Sequence, residues 1–207
     1  MNIPNSSIKN SITAFAAIIL FTTAFSTAFA QTDYAGKFEL SAEYAHTNAD
    51  RLFEAGNPAN GWTAGAAFRI TKRFSVYGEF GQDRGSLKDD PVGVIFATTR
   101  TAVLGGLRFH FVNKSRVTPF VNTGLGYLKF ATTVTIGNTA KTYPNDPTLL
   151  IAAGGGLDIA LNKGGRFSWR NSAEWRRVEK GEVFTNNAFF PNNRNVFRFA
   201  TGLVVRF

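Results

Sequence analysis

The sequence predicts an all-β fold, an eight-stranded antiparallel up-and-down transmembrane β-barrel that follows a cleaved signal peptide. Three observations lead to this prediction. An apolar leader opens the chain, apolar and polar side chains alternate in eight later segments, and short turns alternate with long polar loops between those segments. The 207 residues accommodate the leader, residues 1–30, and one further domain, residues 31–207.

The leader has the three regions of a secretory signal. A polar start precedes an apolar run from Ile12 to Phe25, and Ala28-Phe29-Ala30 stands directly before Gln31. Signal peptidase requires small residues just before the cleaved bond, so we expect cleavage between Ala30 and Gln31 and export through the Sec pathway. The apolar run is shorter than the roughly 20 residues of a spanning helix, which argues against a membrane anchor.

The composition excludes several kinds of protein. Because the chain has no cysteine, it has neither a disulfide scaffold nor a thiolate zinc site. The formal net charge is +9, and one basic residue, Lys9, lies in the leader. The other Lys and Arg residues are spaced singly and form no block that could follow a phosphate backbone, so no nucleic-acid partner is expected. An anionic membrane surface is the expected counterpart of this charge.

Eight segments after the leader show the two-residue period of β-strands. In the last of them, Phe197 and Phe199 fall on one face and Arg198 falls on the other. Most segments have about the 9 to 11 residues that a tilted strand needs to cross the hydrocarbon layer of a membrane. The predicted strands are residues 37–46, 61–70, 74–83, 98–111, 118–130, 149–161, 167–178 and 195–207.

The connections between these strands alternate in length. Short turns are predicted at residues 71–73, 112–117 and 162–166, and long polar loops at 47–60, 84–97, 131–148 and 179–194. Barrels of the bacterial outer membrane have short periplasmic turns and longer extracellular loops. An even number of strands also leaves both ends of the barrel on the periplasmic side, which predicts an integral location in the cell outer membrane.

The two faces of the predicted strands differ in chemistry. One face is apolar and carries aromatic side chains near the strand ends, as expected of a face that meets lipid. The other face carries acids, arginines and glycines. The interior of an eight-stranded barrel is only wide enough to be filled by side chains, so we expect an ion-pair plug and no open diffusion channel. The plug residues are predicted to be Glu39, Glu43, Arg69, Glu79, Arg108, Asp158, Arg170, Glu174, Arg176 and Arg198.

Two predicted strands carry a family resemblance. The segments Thr118-Pro-Phe-Val-Asn-Thr-Gly-Leu-Gly-Tyr127 and Ala152-Ala-Gly-Gly-Gly-Leu-Asp158 resemble paired strands of the OmpA/OmpX-like outer-membrane β-barrel superfamily. The last strand resembles the carboxy-terminal signal read by the barrel-assembly machinery, through Gly202, Val205 and Phe207. The resemblance implies outer-membrane lipid, lipopolysaccharide, the assembly machinery and periplasmic chaperones as partners.

An enzyme is the first alternative function. His46 and His110 are the residues that could act as near-neutral bases. His110 has inward parity beside Arg108 and is interpreted as a structural residue. His46-Thr47-Asn48-Ala49 faintly resembles a motif of lipid A deacylase barrels but lacks the serine of that motif. We therefore predict no enzyme and assign no catalytic residue, cofactor or metal site, although a barrel enzyme acting on outer-membrane lipid and a small porin-like channel remain alternatives.

A role as a surface interaction protein is the second hypothesis for the function. The long loops could bind a surface ligand, and Phe184, Phe189 and Phe190 could form an exposed apolar patch in the last of them. The sequence therefore predicts a structural or surface-exposed interaction or adhesion role. A soluble lipocalin-like barrel is the architectural competitor, but such barrels have an apolar interior, whereas here ionic residues and glycines oppose the aromatic face.

Overall fold

The structure, a computed structural model, describes residues 37–47, 59–89, 93–144, 146–178 and 194–207. The signal peptide, with Ala28, Ala30 and Gln31, lies outside the described residues and stays a prediction. Most of the predicted loops 47–60 and 179–194 also lies outside them, together with the three phenylalanines of the latter loop. Within the described ranges, no helix is long and apolar enough to cross a membrane.

Strands make up nearly all of the described structure. Their sequences are rich in aromatic and β-branched residues, which pack well on a pleated surface. The nine strands are β1 (Phe38–Thr47), β2 (Ala59–Arg69), β3 (Phe74–Asp89), β4 (Val94–His110), β5 (Val117–Ile136), β6 (Thr139–Pro144), β7 (Thr148–Ala160), β8 (Phe167–Val178) and β9 (Arg194–Arg206).

Eight of these nine strands form a closed antiparallel barrel. Each of them pairs with its neighbour along the chain, except that β5 pairs with β7 because β6 does not belong to the barrel wall. The barrel closes where β1 pairs with β9, from Glu39 opposite Arg206 to Thr47 opposite Arg198. The prediction of an all-β, eight-stranded antiparallel barrel is therefore confirmed, and the β1–β9 pairing closes the barrel wall.

The strands on one side continue beyond their predicted ends. β3 extends to Asp89, β4 begins at Val94, and β5 extends to Ile136 before β6 folds back against it. The prediction of long polar loops at 84–97 and 131–148 is therefore wrong for most of both segments. Most of both segments forms what we call the distal sheet, which comprises residues 84–89, 94–99, 131–136 and 139–144.

Threonine explains why the β5 and β6 segments of the distal sheet resemble loops in the sequence. The segment Ala131-Thr-Thr-Val-Thr-Ile136 reads as polar, but threonine is β-branched and favours a strand. The hydroxyls of Thr133 and Thr142 lie 2.9 Å apart across the β5–β6 pair. Gly93 and Gly137 stand at the tight turns with φ angles of 66° and 57°, a backbone conformation that glycine adopts without steric cost.

The barrel wall reverses the usual distribution of polarity. Many of its outward side chains are large and apolar, and Leu125 and Tyr127, for example, are 61% and 63% exposed. Its inward side chains include charged groups, and Arg170 is only 1% exposed. The alternation of the strands thus places the aromatic face outside and the ionic face inside, as predicted.

Candidate functional site: the charged barrel interior

The interior near the short turns is organised around Glu39 on β1. Its carboxylate accepts hydrogen bonds from Arg108 at 2.7 Å, from Arg170 at 2.8 Å and from Arg206 at 3.0 Å. These arginines stand on β4, β8 and β9, so one buried acid connects four strands. Such charge-assisted bonds are stronger than bonds between neutral groups.

A second acid completes this arrangement. Asp158 on β7 accepts two hydrogen bonds from Arg170, at 2.7 and 2.8 Å, and one from Arg206. Glu43 lies farther away, with a carboxylate oxygen 3.9 Å from an Arg170 nitrogen. We call Glu39, Glu43, Asp158, Arg108, Arg170 and Arg206 the Glu39 cluster. Its three acids and three arginines balance in formal charge, which offsets part of the cost of burying them.

A second group, which we call the Glu174 cluster, comprises Glu79, Asn122, Glu174, Arg176 and Arg198. Arg176 donates to Glu174 at 2.8 Å and to Glu79 at 2.7 Å. Asn122 donates a hydrogen bond of 2.8 Å to Glu174. Arg198 Nη1 lies 3.5 Å from Glu79 Oε1, and Arg198 also donates a hydrogen bond to the hydroxyl of Thr63. This cluster therefore ties β3 to β5, β8 and β9, and its two acids match its two arginines.

Aromatic rings pack against the charged groups. The guanidinium carbon of Arg108 lies 5.0 Å from the ring centre of Phe120, and that of Arg170 lies 4.9 Å from it. Arg108 also lies 4.8 Å from the ring centre of Tyr77. Cations over aromatic faces are favourable, and the attraction is larger where water is excluded.

Glycines leave the space that these rings occupy. A Cβ atom at Gly156 would come within 2.7 Å of the Phe120 ring, and one at Gly124 within 2.8 Å of the Tyr77 hydroxyl. Glycine at these two positions thus leaves room for the inward aromatic side chains.

Apolar side chains from β3, β4, β5, β7 and β8 fill another part of the interior. Tyr77, Ala102, Leu104, Leu128, Phe130, Leu150, Ala152 and Val178 form this buried cluster. Two small cavities lie next to β1, β2 and β3, one lined by Lys37, Arg69 and Arg206 among others, and one by Ser41, Gly65 and Arg108 among others. Each has a volume of about 10 Å³, which is room for about one water molecule.

The structure brings most of the predicted plug residues together. Nine of them join the two clusters: Glu39, Glu43, Glu79, Arg108, Asp158, Arg170, Glu174, Arg176 and Arg198. Arg69 instead lines the cavity beside Arg206 near the short turns. The prediction did not include Phe120 or Asn122, whose inward parity was the available signal.

The two histidines lie at opposite ends of the barrel. His46 is on the outer surface, with Nδ1 2.7 Å from the Asn60 amide oxygen. His110 is 1% exposed, and its Nε2 lies 3.2 Å from the Ser75 hydroxyl. The sequence analysis did not predict that Ser75 lies next to His110. Ser75 is itself only 2% exposed, so the pair faces the filled interior and not a substrate-sized cleft.

The residues of the predicted assembly signal lie on β9 and just beyond it. Gly202 faces inward opposite Glu43, and Val205 faces outward opposite Leu40. Phe207 exchanges backbone hydrogen bonds of 3.0 and 3.1 Å with Phe38, and the two rings stack with centres 6.3 Å apart. Recognition of these residues by an assembly machinery stays a prediction.

Comparison with solved structures identifies the fold. No protein-family model and no curated protein sequence matches the chain. Neisserial surface protein A (NspA) aligns with a TM-score of 0.59 at 15% identity, over 84% of this chain and 100% of NspA. The chain has the fold of the small outer-membrane β-barrels. The resemblance found in the sequence is thereby confirmed at the level of the fold.

Two further structures share this small-barrel fold. Ail, the attachment invasion locus protein of Yersinia pestis, aligns with a TM-score of 0.55 at 17% identity, over 84% of this chain and 99% of Ail. That Ail structure contains the heparin analogue sucrose octasulfate. The outer membrane protein OprG from Pseudomonas aeruginosa aligns with a TM-score of 0.54 at 13% identity, over 86% of this chain and 98% of OprG.

Proposed function

We propose that the chain is an integral outer-membrane protein of a Gram-negative cell envelope, with a structural or surface-exposed role and no open diffusion pore. The observation that carries the proposal is the reversed polarity of the barrel. Charged groups are buried in balanced clusters inside, and large apolar side chains cover the outside. Sec export, lipopolysaccharide contact, and transient binding to the assembly machinery and periplasmic chaperones belong to the same proposal.

The outer surface favours lipid as the surrounding solvent. Apolar patches on water-soluble monomers rarely exceed a few hundred Å². Here large apolar side chains are exposed on the outward face of every barrel strand, for example Leu107 on β4, Leu125 on β5 and Leu203 on β9. Polar residues such as Asn171 and Thr201 interrupt this face at single positions. A barrel in lipid also satisfies its backbone hydrogen bonds internally, which the β1–β9 closure provides.

Fractionation of the native cell tests the location. The protein should be found with outer membranes, resist extraction with alkaline carbonate, and migrate faster on gels before heating than after it, because a folded barrel resists detergent. Recovery from the soluble periplasmic fraction would overturn the proposal in favour of a lipocalin-like barrel.

The filled interior supports a closed barrel. Both clusters lie across the space that a pore would need, and the two cavities beside them hold about one water molecule each. We expect purified protein in planar bilayers to give no stable, large single-channel conductance. A sustained large conductance from the refolded barrel would instead support the small porin-like alternative.

Surface display is the second candidate function, favoured by the distal sheet. Its strands extend the barrel wall on one side and end in the turns at Gly93 and Gly137. The structure of Ail with a polysulfated ligand raises an anionic ligand as one candidate. The charge argues against it here, because residues 47–60, 84–97, 131–148 and 179–194 together contain seven acids and six Lys or Arg residues. An uncharged or mixed-charge partner fits this end better.

Trimming the distal sheet tests this role. Residues 133–142 would be replaced by a two-residue Asn-Gly turn, which suits a hairpin. Barrel folding should be retained, because β5 and β7 pair only up to Leu128 opposite Thr148. Cell or matrix binding by whole bacteria should fall if the distal sheet displays the binding surface, and unchanged binding would reject it.

The enzyme alternative is less well supported. The serine–histidine pair, Ser75 and His110, has hydrogen-bonding geometry, but both residues are buried and no described group of His, Cys, Asp or Glu could hold a metal ion. A lipid substrate would have to enter the filled interior to reach Ser75. This is why we place the function in structure or surface interaction.

A further inference from the structure

The excess positive charge is concentrated at one end of the barrel. The turns at residues 70–73, 111–116 and 161–166, together with Lys37, define what we call the short-turn end. They contain seven Lys or Arg residues and no acid. We call these seven the basic rim: Lys37, Lys72, Arg73, Lys114, Arg116, Lys163 and Arg166. The long-loop segments hold one more acid than base, so the rim accounts for most of the net charge after the leader.

Four of the seven cations occupy equivalent positions. Each immediately precedes a strand that rises from the short-turn end: Lys37 before β1, Arg73 before β3, Arg116 before β5 and Arg166 before β8. Each also accepts, at its backbone oxygen, a hydrogen bond of 2.7 to 2.8 Å from the end of a neighbouring strand. Because these strands are spaced around the barrel, the four cations are held at intervals around its whole circumference.

The side chains of the basic rim are open to a ligand. All seven residues are exposed. None of their side chains forms an ion pair or a hydrogen bond with another residue in the described part of the chain, in contrast to the inward-facing arginines of the two clusters. The charge of the rim is therefore not neutralised by neighbouring acids within that part.

Aromatic side chains lie directly next to the basic rim. Phe38, Phe74 and Phe167 each follow a rim cation by one residue, and they are 54%, 48% and 49% exposed on the outer face. Aromatic side chains favour the boundary between the hydrocarbon layer and the headgroups, and nearby Lys and Arg extend toward the headgroups. If the barrel spans a membrane, the rim therefore lies at the level of the lipid phosphates.

We propose that the basic rim binds the phosphate groups of anionic phospholipids in the leaflet on the short-turn side. This inference rests on the proposed membrane location and names a partner for that end. A single protein partner would contact one side, whereas cations spaced around the circumference fit a ring of lipid molecules. Each Lys or Arg near an anionic surface strengthens binding by about fivefold at ordinary salt.

Tryptophan fluorescence can test this inference at the correct leaflet. Trp169 lies on the outer face of β8, three residues after Arg166, whereas Trp62 and Trp175 lie toward the other end. A W62F/W175F protein retains Trp169 as its one tryptophan. It would be refolded into phosphatidylcholine vesicles containing brominated phosphatidylglycerol or brominated phosphatidylcholine, and quenching would be measured against the fraction of brominated lipid.

The expected result is several-fold stronger binding of phosphatidylglycerol than of phosphatidylcholine next to Trp169. The changes Lys72→Gln, Lys114→Gln and Lys163→Gln, made together in this background, should remove most of this preference. The changes Arg84→Gln, Lys129→Gln and Lys141→Gln remove three exposed cations near the other end and should leave it unchanged. About 1 M NaCl should abolish the preference of the unaltered rim, because the Debye length falls to about 3 Å.

Three results would contradict the inference: equal quenching by both lipids, a preference that survives loss of the three turn lysines, or a preference insensitive to salt. Equal quenching with retention on purified murein sacculi would assign the rim to cell-wall carboxylates instead. Heat-dependent gel migration, measured on every sample, separates these results from failure of the membrane proposal, since a chain that never inserts would lack the fast-migrating form.

Discussion

Glu39 holds the largest number of ionic contacts of the buried acids described. Its three arginine partners come from three other strands, at sequence separations of 69, 131 and 167 residues. Glu43, four residues away on the same face, is similarly buried but has one contact, at 3.9 Å. The two glutamates therefore form a matched pair in which burial is constant and the number of contacts differs.

Replacing each glutamate with glutamine separates the two effects. Glu39→Gln leaves three buried guanidinium groups facing one fewer charge, and breaking such a buried network costs about 3 to 5 kcal/mol. Glu43→Gln removes one distant contact and should cost about 1 kcal/mol or less. Urea unfolding of the refolded barrels in lipid vesicles measures both. Equal losses would show that total charge, and not the contacts of Glu39, governs stability.

The inward position of these residues was predictable, and their partners were not. The two-residue period assigned Glu39 and Arg170 to the same face, but their contact depends on how the strands tilt and close around the barrel. Phe120 shows a second limit. The sequence does not show how an aromatic ring could fit into an ionic interior. The structure shows that Phe120 fits because its ring packs against Gly156, which has no side chain.

The strands were predictable where apolar and polar residues alternate along the sequence, and not beyond those residues. The strand ends near the short turns agree closely with the predicted ones, because there apolar and polar residues alternate between the outer and inner faces of the barrel wall. At the end of the barrel away from the short turns, the alternation of apolar and polar residues stops. The backbone pairing of β3, β4 and β5 nevertheless continues there into the distal sheet. In β4 and β5, threonine supports this pairing because β-branched residues favour strands, a preference that a polarity pattern does not detect.

The turn between β7 and β8 provides a test at the scale of one element. Gly164 and Gly165 are adjacent, but Gly165 has a φ angle of 63°, whereas a Cβ atom at Gly164 would meet nothing within 4 Å. Gly165→Ala should cost about 1 kcal/mol, since side chains disfavour left-handed backbone, and Gly164→Ala should be nearly neutral. Unfolding midpoints in urea compare them, and a larger effect at Gly164 would contradict the turn geometry.

At the scale of the whole molecule, charge is divided between a neutralised interior and an unneutralised rim. The clusters pair acids with arginines away from solvent, whereas the basic rim meets no described acid. Composition alone reported the net charge of +9 and could not locate it. Locating it required knowing which segments are strands and which are short turns.

Salt should therefore weaken lipid binding by the basic rim strongly and change the stability of the barrel little. Screening weakens exposed charge interactions strongly and buried ones much less. Raising NaCl from about 0.05 to 0.5 M should change the free energy of unfolding in uncharged lipid by less than about 1 kcal/mol. Urea titrations at the two salt concentrations measure this. A loss of several kcal/mol would mean that water and ions reach the clusters.

The pairing of β1 with β9 has a consequence for how the molecule is completed. Glu39 and Asp158 both contact Arg206, which belongs to the final strand of 13 residues. A chain that has not yet placed this strand exposes two open strand edges, on β1 and on β8, and open edges recruit strands from other chains. Placement of β9 supplies the missing guanidinium and covers both edges in one step. Protection from aggregation and completion of the ionic interior thus depend on the same step, the placement of β9 between β1 and β8.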